Sequence, residues 1–141
     1  MKISINKKIN KDSQQKIGKM LEEYNSTYVS QKKESSSTPI EIILRNDADK
    51  IIGGLYGRTI WGNMEIKTCV IHQAKRKQGF GKILIQSAEK EARKRKCNQI
   101  TLDTFSFQAP GFYENLGFEK IGVETNFPIG YEKYYYRKIL K

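Results

Sequence analysis

The stretch from Glu65 to Gly81 constrains this chain more than any other. Glu65-Ile66-Lys67-Thr68-Cys69-Val70-Ile71 is an apolar-rich run, and His72-Gln73-Ala74-Lys75-Arg76-Lys77-Gln78-Gly79-Phe80-Gly81 is a basic loop closed by two glycines one residue apart. Lys82-Ile83-Leu84-Ile85 then opens a long helical pattern. In physical terms this is a strand, a loop rich in free backbone N–H groups, and a helix N-terminus. The first-turn N–H groups of a helix have no intrahelical acceptor, and the helix dipole adds positive potential there, so the arrangement cradles phosphate oxygens.

The rest of the chain must fit around that cradle in one domain, because 141 residues suit a single core spanning 1–141. Hydrophobic residues make up 38% and charged residues 29%, the balance of a soluble globular protein. No apolar run approaches the roughly 18 residues of a membrane span. The N-terminus lacks the apolar centre of a signal peptide, so the expected compartment is cytoplasmic, with no membrane partner. Cys69 and Cys97 read as two reduced thiols, and with His72 as the single histidine no metal site is expected. The formal charge of +11 favours acidic partners: nucleic acid, an anionic surface or a polyphosphorylated ligand. Lys75-Arg76-Lys77 flanks the proposed anion site, whereas Arg93-Lys94-Arg95-Lys96 reads as a solvated face.

Taken in order, residues 1–10 alternate weakly at Ile3 and Ile5 and suggest an edge strand. A helix follows from Asp12, capped by Asp12 or Ser13, with Ile17, Met20, Leu21 and Tyr24 in one apolar stripe. The polar stretch 25–39 reads as a mobile loop. Strands are expected over 40–45, 50–61 and 64–71 as an antiparallel meander, with Gly53-Gly54 marking a bulge or a close backbone approach. The helix after Gly81 should run to about Lys96 and bury Leu84, Ile85, Ala88 and Ala92. A strand over 100–105 should lie parallel to the strand before that helix. A short helix from Pro110 ends at Gly117, and two strands over 118–124 and 131–140 follow. The expected class is α/β (α+β): a mixed, mostly antiparallel sheet with helices on both faces.

Three phosphate-loop patterns compete for the cradle. A nucleotide-hydrolase P-loop needs Ser or Thr after Gly-Lys and a glycine five positions earlier; Ile83 follows Gly81-Lys82 and the earlier glycine is missing. A dinucleotide fingerprint needs a third glycine. Arg76, Gly79 and Gly81 fit the third pattern, Arg-x-x-Gly-x-Gly after a mixed-sheet strand. About thirty residues on, Ala109-Pro110-Gly111-Phe112-Tyr113-Glu114-Asn115-Leu116-Gly117-Phe118 carries Phe-Tyr-x-x-x-Gly-Phe on a short helix that leads into a strand. Together, in this order and at this spacing, the two motifs resemble the GCN5-related N-acetyltransferases, the GNAT enzymes. The resemblance covers roughly Ile51 to Leu140, and 102–110 looks like a subgroup of small bacterial members.

The resemblance implies an acetyl-CoA-dependent N-acetyltransferase. An acetyl group would pass from the thioester to a primary amine by direct attack through a tetrahedral intermediate. It places the pantetheine arm along Cys69, Val70 and Ile71, and the pyrophosphate on the loop amides from Gln78 through Gly79, Phe80, Gly81 and Lys82. Arg76, Lys75 and Lys77 add charge, and Tyr113 is placed as the acid for the departing thiolate. Two slots depart from the family pattern: Gln73 stands where proline is common, and Ser106 where an asparagine contacts the cofactor. Gln108 is the candidate substitute for Ser106. The amine must lose a proton before it attacks. Glu65 is the first candidate base and Asp103 the second, with His72 set past the strand end and a water chain as a further route. The acceptor, a small molecule or a protein amine, would meet residues 12–39, with Tyr56 and Trp61 as candidate lining.

A second reading, a basic nucleic-acid-binding module, rests on the charge and on Tyr134-Tyr135-Tyr136 as bases' stacking partners. A CoA-binding fold without catalysis is a third. The final strand, taken as exposed, suggests a homodimer by edge pairing.

Overall fold

Six strands form one sheet in the order β1-β2-β3-β4-β6-β5. In the computed structural model, which describes residues 1–29 and 36–141, the strands are β1 Thr38–Arg45, β2 Ile51–Ile60, β3 Asn63–Ile71, β4 Gln99–Phe105, β5 Glu119–Thr125 and β6 Glu132–Ile139. The helices are α1 Lys11–Asn25, α2 Phe80–Lys94 and α3 Pro110–Asn115. Every ladder is antiparallel except β3–β4, which is parallel and is joined by α2. A hairpin turn cannot return a chain to parallel register, so a crossover helix is required here.

The sheet's inner face packs on α2 and α3. From α2 come Leu84, Ile85, Ala88 and Ala92, all buried. The two alanines let the helix axis approach the sheet closely. Opposite them lie Ile40, Leu55, Met64, Ile66, Ile100, Leu102 and Tyr136, with Tyr113 and Phe118 closing the α3 end. Arg95 fastens the end of α2 to the start of β1: its Nε donates to Glu91 at 2.9 Å and its Nη1 to the Pro39 carbonyl at 3.0 Å. Gly117 adopts φ +91° after α3, where a side chain would be strained, and Phe118 N–H returns to the Tyr113 carbonyl at 3.1 Å.

Several expectations need correcting. Residues 1–10 form no strand, and neither sheet edge, β1 or β5, pairs with them. The α1 cap is Asn10, whose Oδ1 accepts from Ser13 N–H at 3.0 Å, and neither Asp12 nor Ser13 serves. The final strand is not an exposed edge: β6 is paired on both sides, to β4 and β5, so edge pairing through it is closed and the edges are β1 and β5. The bulge in β2–β3 lies at Tyr56/Gly57 and not at Gly53-Gly54. Gly53 and Gly54 do mark close approach, since an added Cβ would lie 2.6 Å from Ile71 Cδ1 and 2.8 Å from the Ile42 carbonyl respectively. Part of the expected loop over 25–39 lies outside the described residues. Among the described residues, no helix is long and apolar enough to cross a membrane.

Candidate active site

The parallel ladder between β3 and β4 is short. It runs from Asn63↔Gln99 to Ile66↔Leu102, although β3 continues to Ile71 and β4 to Phe105. The cause lies on the other side of β3. In the β2–β3 register, Tyr56 faces Thr68 but Gly57 faces Ile66, which leaves Lys67 as the extra residue of a bulge. A bulge bends and twists its strand, and this one begins at the residue where the parallel ladder stops. Gly57 makes it feasible: a Cβ there would stand 1.9 Å from the Glu65 carbonyl oxygen. Sequence reasoning missed Gly57, although a lone glycine inside Leu55-Tyr56-Gly57-Arg58 was itself a bulge signal.

Beyond Ile66 the strands diverge and one cavity opens there, while a second lies beside it over the last paired residues, Glu65 with Thr101 and Ile66 with Leu102. The larger, about 950 Å³, is walled by Thr68–Ile71 of β3, the loop Lys75–Lys77, Gly79–Lys82 at the start of α2, Thr104 and Phe105 of β4, and Phe112 and Tyr113 of α3. The smaller, about 580 Å³, is lined by Tyr56, Arg58, Glu65, Thr101, Ile121 and Tyr135. Lys67 and Asp103 line both. Trp61 lines neither; it stands half-exposed in the β2–β3 turn at φ +52°.

The loop has the shape of an anion cradle. His72 Nδ1 accepts from Ala74 N–H at 3.2 Å and starts a single 3-10 turn over Gln73–Lys75. Lys77 and Gly79 adopt φ +61° and +86°, which turns the chain sharply into α2. Gly79 caps that helix with no side-chain hydrogen bond, and the first intrahelical bond is Ile83 N–H to the Gly79 carbonyl at 3.2 Å. The N–H groups before it face the larger cavity at a helix N-terminus flanked by Lys75, Lys77 and Lys82. Arg76 Nε donates to the Ile71 carbonyl at 3.1 Å, so this guanidinium also pins the loop to the end of β3. The Gln78 side chain turns back to the Ala74 carbonyl at 3.5 Å and does not line the cavity. Gly81 has a role the sequence did not reveal. Its missing Cβ leaves room for Phe112, whose ring carbons would lie 2.8 and 3.0 Å from it. Gly79 has nothing within 4 Å of that position and is open towards the cavity.

On the opposite wall, Gln108 Oε1 accepts from Phe105 N–H at 2.9 Å and from the Thr104 hydroxyl at 3.1 Å. It thereby satisfies backbone where β4 has lost its β3 neighbour. Ser106 Oγ instead accepts from Glu132 N–H at 3.0 Å and ties the loop to β6. Tyr113 is buried beside the Cys69 thiol. Burial, then the neighbouring Cys69, then the charge of Asp103 push the Tyr113 phenol well above its ordinary range. Burial also raises the Cys69 thiol, and the neighbouring Tyr113 offsets only part of that. In the smaller cavity, Glu65 Oε2 accepts from Arg58 Nε at 2.8 Å.

The Tyr134-Tyr135-Tyr136 run offers no stacking platform. Tyr136 is fully buried, with its O–H donating to Glu114 Oε1 at 2.8 Å, while Tyr134 packs edge-on against it and Tyr135 donates to Glu124 from the opposite face.

Residues 9–118 match the Acetyltransferase (GNAT) family. The chain belongs to the GNAT acetyltransferase family. Over 89 residues it is 39% identical to acetyltransferase Atu2258 of Agrobacterium fabrum, an alignment covering 63% of this chain and 65% of that relative, just under two thirds of its length. A crystal structure of a candidate acetyltransferase from Agrobacterium tumefaciens superposes with a TM-score of 0.86 at 30% identity, covering 99% of this chain and 100% of the other. An acetyltransferase from Bacillus cereus superposes with a TM-score of 0.85 at 26% identity, covering 97% and 98%. With 97% and 99% of this chain covered, the two alignments leave almost no residue of the N-terminal arm out. The likeness therefore extends into α1.

Proposed function

We propose that the protein is an N-acetyltransferase that uses acetyl-CoA in the larger cavity to acetylate a primary amine held in the smaller one. The observation that carries this reading is the meeting of the two cavities at Lys67 and Asp103, where the bulge forces β3 away from β4. The donor set fits the cosubstrate. The N–H groups of Gly79 to Lys82, with Lys75, Lys77 and Lys82, suit the pyrophosphate. The β3 edge at Cys69, Val70 and Ile71, no longer paired to β4, suits the amides of the pantetheine arm.

Acetyl-CoA supplies an activated acetyl thioester open to direct attack by the amine. The chain's own residues handle the protons. Asp103 stands at the junction and receives the amine proton, directly or through one water. Glu65 lies within the acceptor cavity, held by Arg58, and positions the acceptor with its charge; of the two carboxylates, Asp103 is the better placed base. Tyr113 faces the cofactor side. Its raised affinity for its proton makes it a hydrogen-bond donor to a departing thiolate, whose ordinary thiol titrates near 8.5, rather than a group that ionises in the resting enzyme. Water exclusion by Phe105, Phe112 and Tyr113 strengthens that bond. The acceptor amine belongs to a small molecule or a protein.

The test is thiol release from acetyl-CoA across a panel of amines. Release that depends on an amine, falling 10²–10⁴-fold in Asp103→Asn, is the expected result. Amine-independent release, or an unchanged rate in Asp103→Asn with a fall only in Glu65→Gln, overturns the assignment.

A further inference from the structure

α1 is an amphipathic helix whose apolar side, among the described residues, meets only the Tyr28 ring, 5.6 Å from that of Tyr24. Ile17, Met20, Leu21 and Tyr24 recur at helical spacing, and each is at least 60% exposed; the helix buries no residue at all. Its charged residues, Lys11, Asp12, Lys16, Lys19, Glu22 and Glu23, lie on the other side of the wheel. Fifteen residues with Gly18 in the interior make a marginal helix in water, and such helices owe their stability to packing of the apolar face. The arm is not peculiar to this chain, because the superpositions with both solved acetyltransferases extend into it.

The same chain carries an uncovered sheet face. The β1–β2–β3 register puts Ile43, Tyr56 and Val70 on the side away from α2, and they are 40%, 49% and 51% exposed. The acceptor cavity opens on this face, with Tyr56 and Ile121 in its lining. The helix stripe is apolar, and on the sheet face Ile43, Tyr56 and Val70 stand among Glu41, Arg58, Glu65 and Thr68; a two-fold exchange would cover each with the other in one closed, isologous contact. Covering these side chains in both copies would remove on the order of 1,500 Å² from water, the size of a standard stable interface.

We propose that two copies of this chain exchange their N-terminal arms, so that α1 of one copy packs on the open sheet face of the other and walls its acceptor cavity. The cofactor cavity is complete within one chain; the acceptor cavity is completed by the second copy. The statement about the acceptor rests on the proposed function, whereas the assembly does not.

The test is the solution mass of the full chain by sedimentation equilibrium or light scattering, read together with acetyl-CoA stabilisation and turnover. The wild-type chain is expected at twice 16.3 kDa. Leu21→Asp, on a helix outside the core, and Ile43→Asp, on the sheet face, should each give folded chains at 16.3 kDa. Both should keep the thermal shift with acetyl-CoA, and their KM for the amine should rise at least tenfold. A monomeric wild type overturns the proposal, as does an unchanged dimer in Leu21→Asp. Loss of the dimer in Leu21→Asp but not in Ile43→Asp also overturns it, because that pattern means arm pairs with arm. Should Ile43→Asp fail to fold, hydrogen exchange of α1 in the wild type decides: protection lost on dilution to monomer is expected, and protection independent of concentration places the arm on its own sheet and overturns the exchange. A missing acetyl-CoA shift in the wild type counts against the proposed function and leaves the mass readout standing.

Discussion

Gly81 illustrates how far a single missing methyl group shapes this site. A Cβ there would stand 2.8 and 3.0 Å from ring carbons of Phe112, where ordinary carbon contacts are about 3.5–4.0 Å. Gly81→Ala must therefore push Phe112 away by the better part of an ångström. Overpacking of this kind costs about 1–3 kcal/mol. The substitution also gains up to about 1 kcal/mol of helix propensity, so the net destabilisation is about 0–2 kcal/mol and the sign alone is a poor test. The informative comparison is a double-mutant cycle with Phe112→Leu, which removes the obstructing ring. In that background Gly81→Ala should turn neutral or stabilising, giving a coupling of about 1–3 kcal/mol. Urea denaturation measures it directly, and in thermal melts each kcal/mol corresponds to roughly 3–5 °C for a chain of this length. Phe112 packs edge-on against Tyr113 at 5.0 Å, so the single variant should also weaken acetyl-CoA stabilisation, and the double variant should recover part of it. Additive effects of the two substitutions would refute the contact, and with it the reading that the missing Cβ of Gly81 makes room for Phe112.

Other variants probe neighbouring parts. Tyr113→Phe should keep the acetyl-CoA thermal shift, about 2.7 kcal/mol at a hundredfold excess over Kd, while transfer falls 10- to 1,000-fold; loss of the shift would move Tyr113 from chemistry to binding. Gln108→Ala leaves Phe105 N–H without its side-chain acceptor and should cost about 1–2 kcal/mol in a denaturant titration and weaken acetyl-CoA binding. Leu84→Ala opens a cavity under the sheet and should cost about 2–5 kcal/mol, read by the same titration. Burial and the Glu114 hydrogen bond push the Tyr136 phenol up to about 12. A phenol raised in the folded state stabilises below its ordinary value near 10, and that stability is lost as pH rises through 12. A denaturant series from pH 9 to 12 should show this fall, and Tyr136→Phe should flatten it.

Local chemistry made most of the architecture legible. Period-two and period-3.6 patterns, the Gly79-Phe80-Gly81 turn and Pro110 mark elements whose boundaries are set by residues close in sequence, and the structure places them within a residue or two. What stayed hidden depends on partners distant in sequence. Gly57 looks like any strand glycine until Glu65 is opposite it. Gly81 reads as room for a phosphate until Phe112 arrives from α3. Asp103 ranks behind Glu65 along the chain, because only the divergence of β3 from β4 reveals which carboxylate touches both cavities. Residues 1–10 alternate like a strand, yet β1 and β5 are the sheet edges and neither receives them.

The proposed place of acetyl transfer is the junction at Lys67 and Asp103 where the two cavities meet. Its most direct test is single-turnover transfer from acetyl-CoA to the amine selected by the thiol-release panel, compared in the wild type and Asp103→Asn at saturating concentrations of both substrates. Intact acetyl-CoA stabilisation is expected in both proteins, with a transfer step at least a hundredfold slower in Asp103→Asn. An equal transfer rate in the two proteins would contradict it.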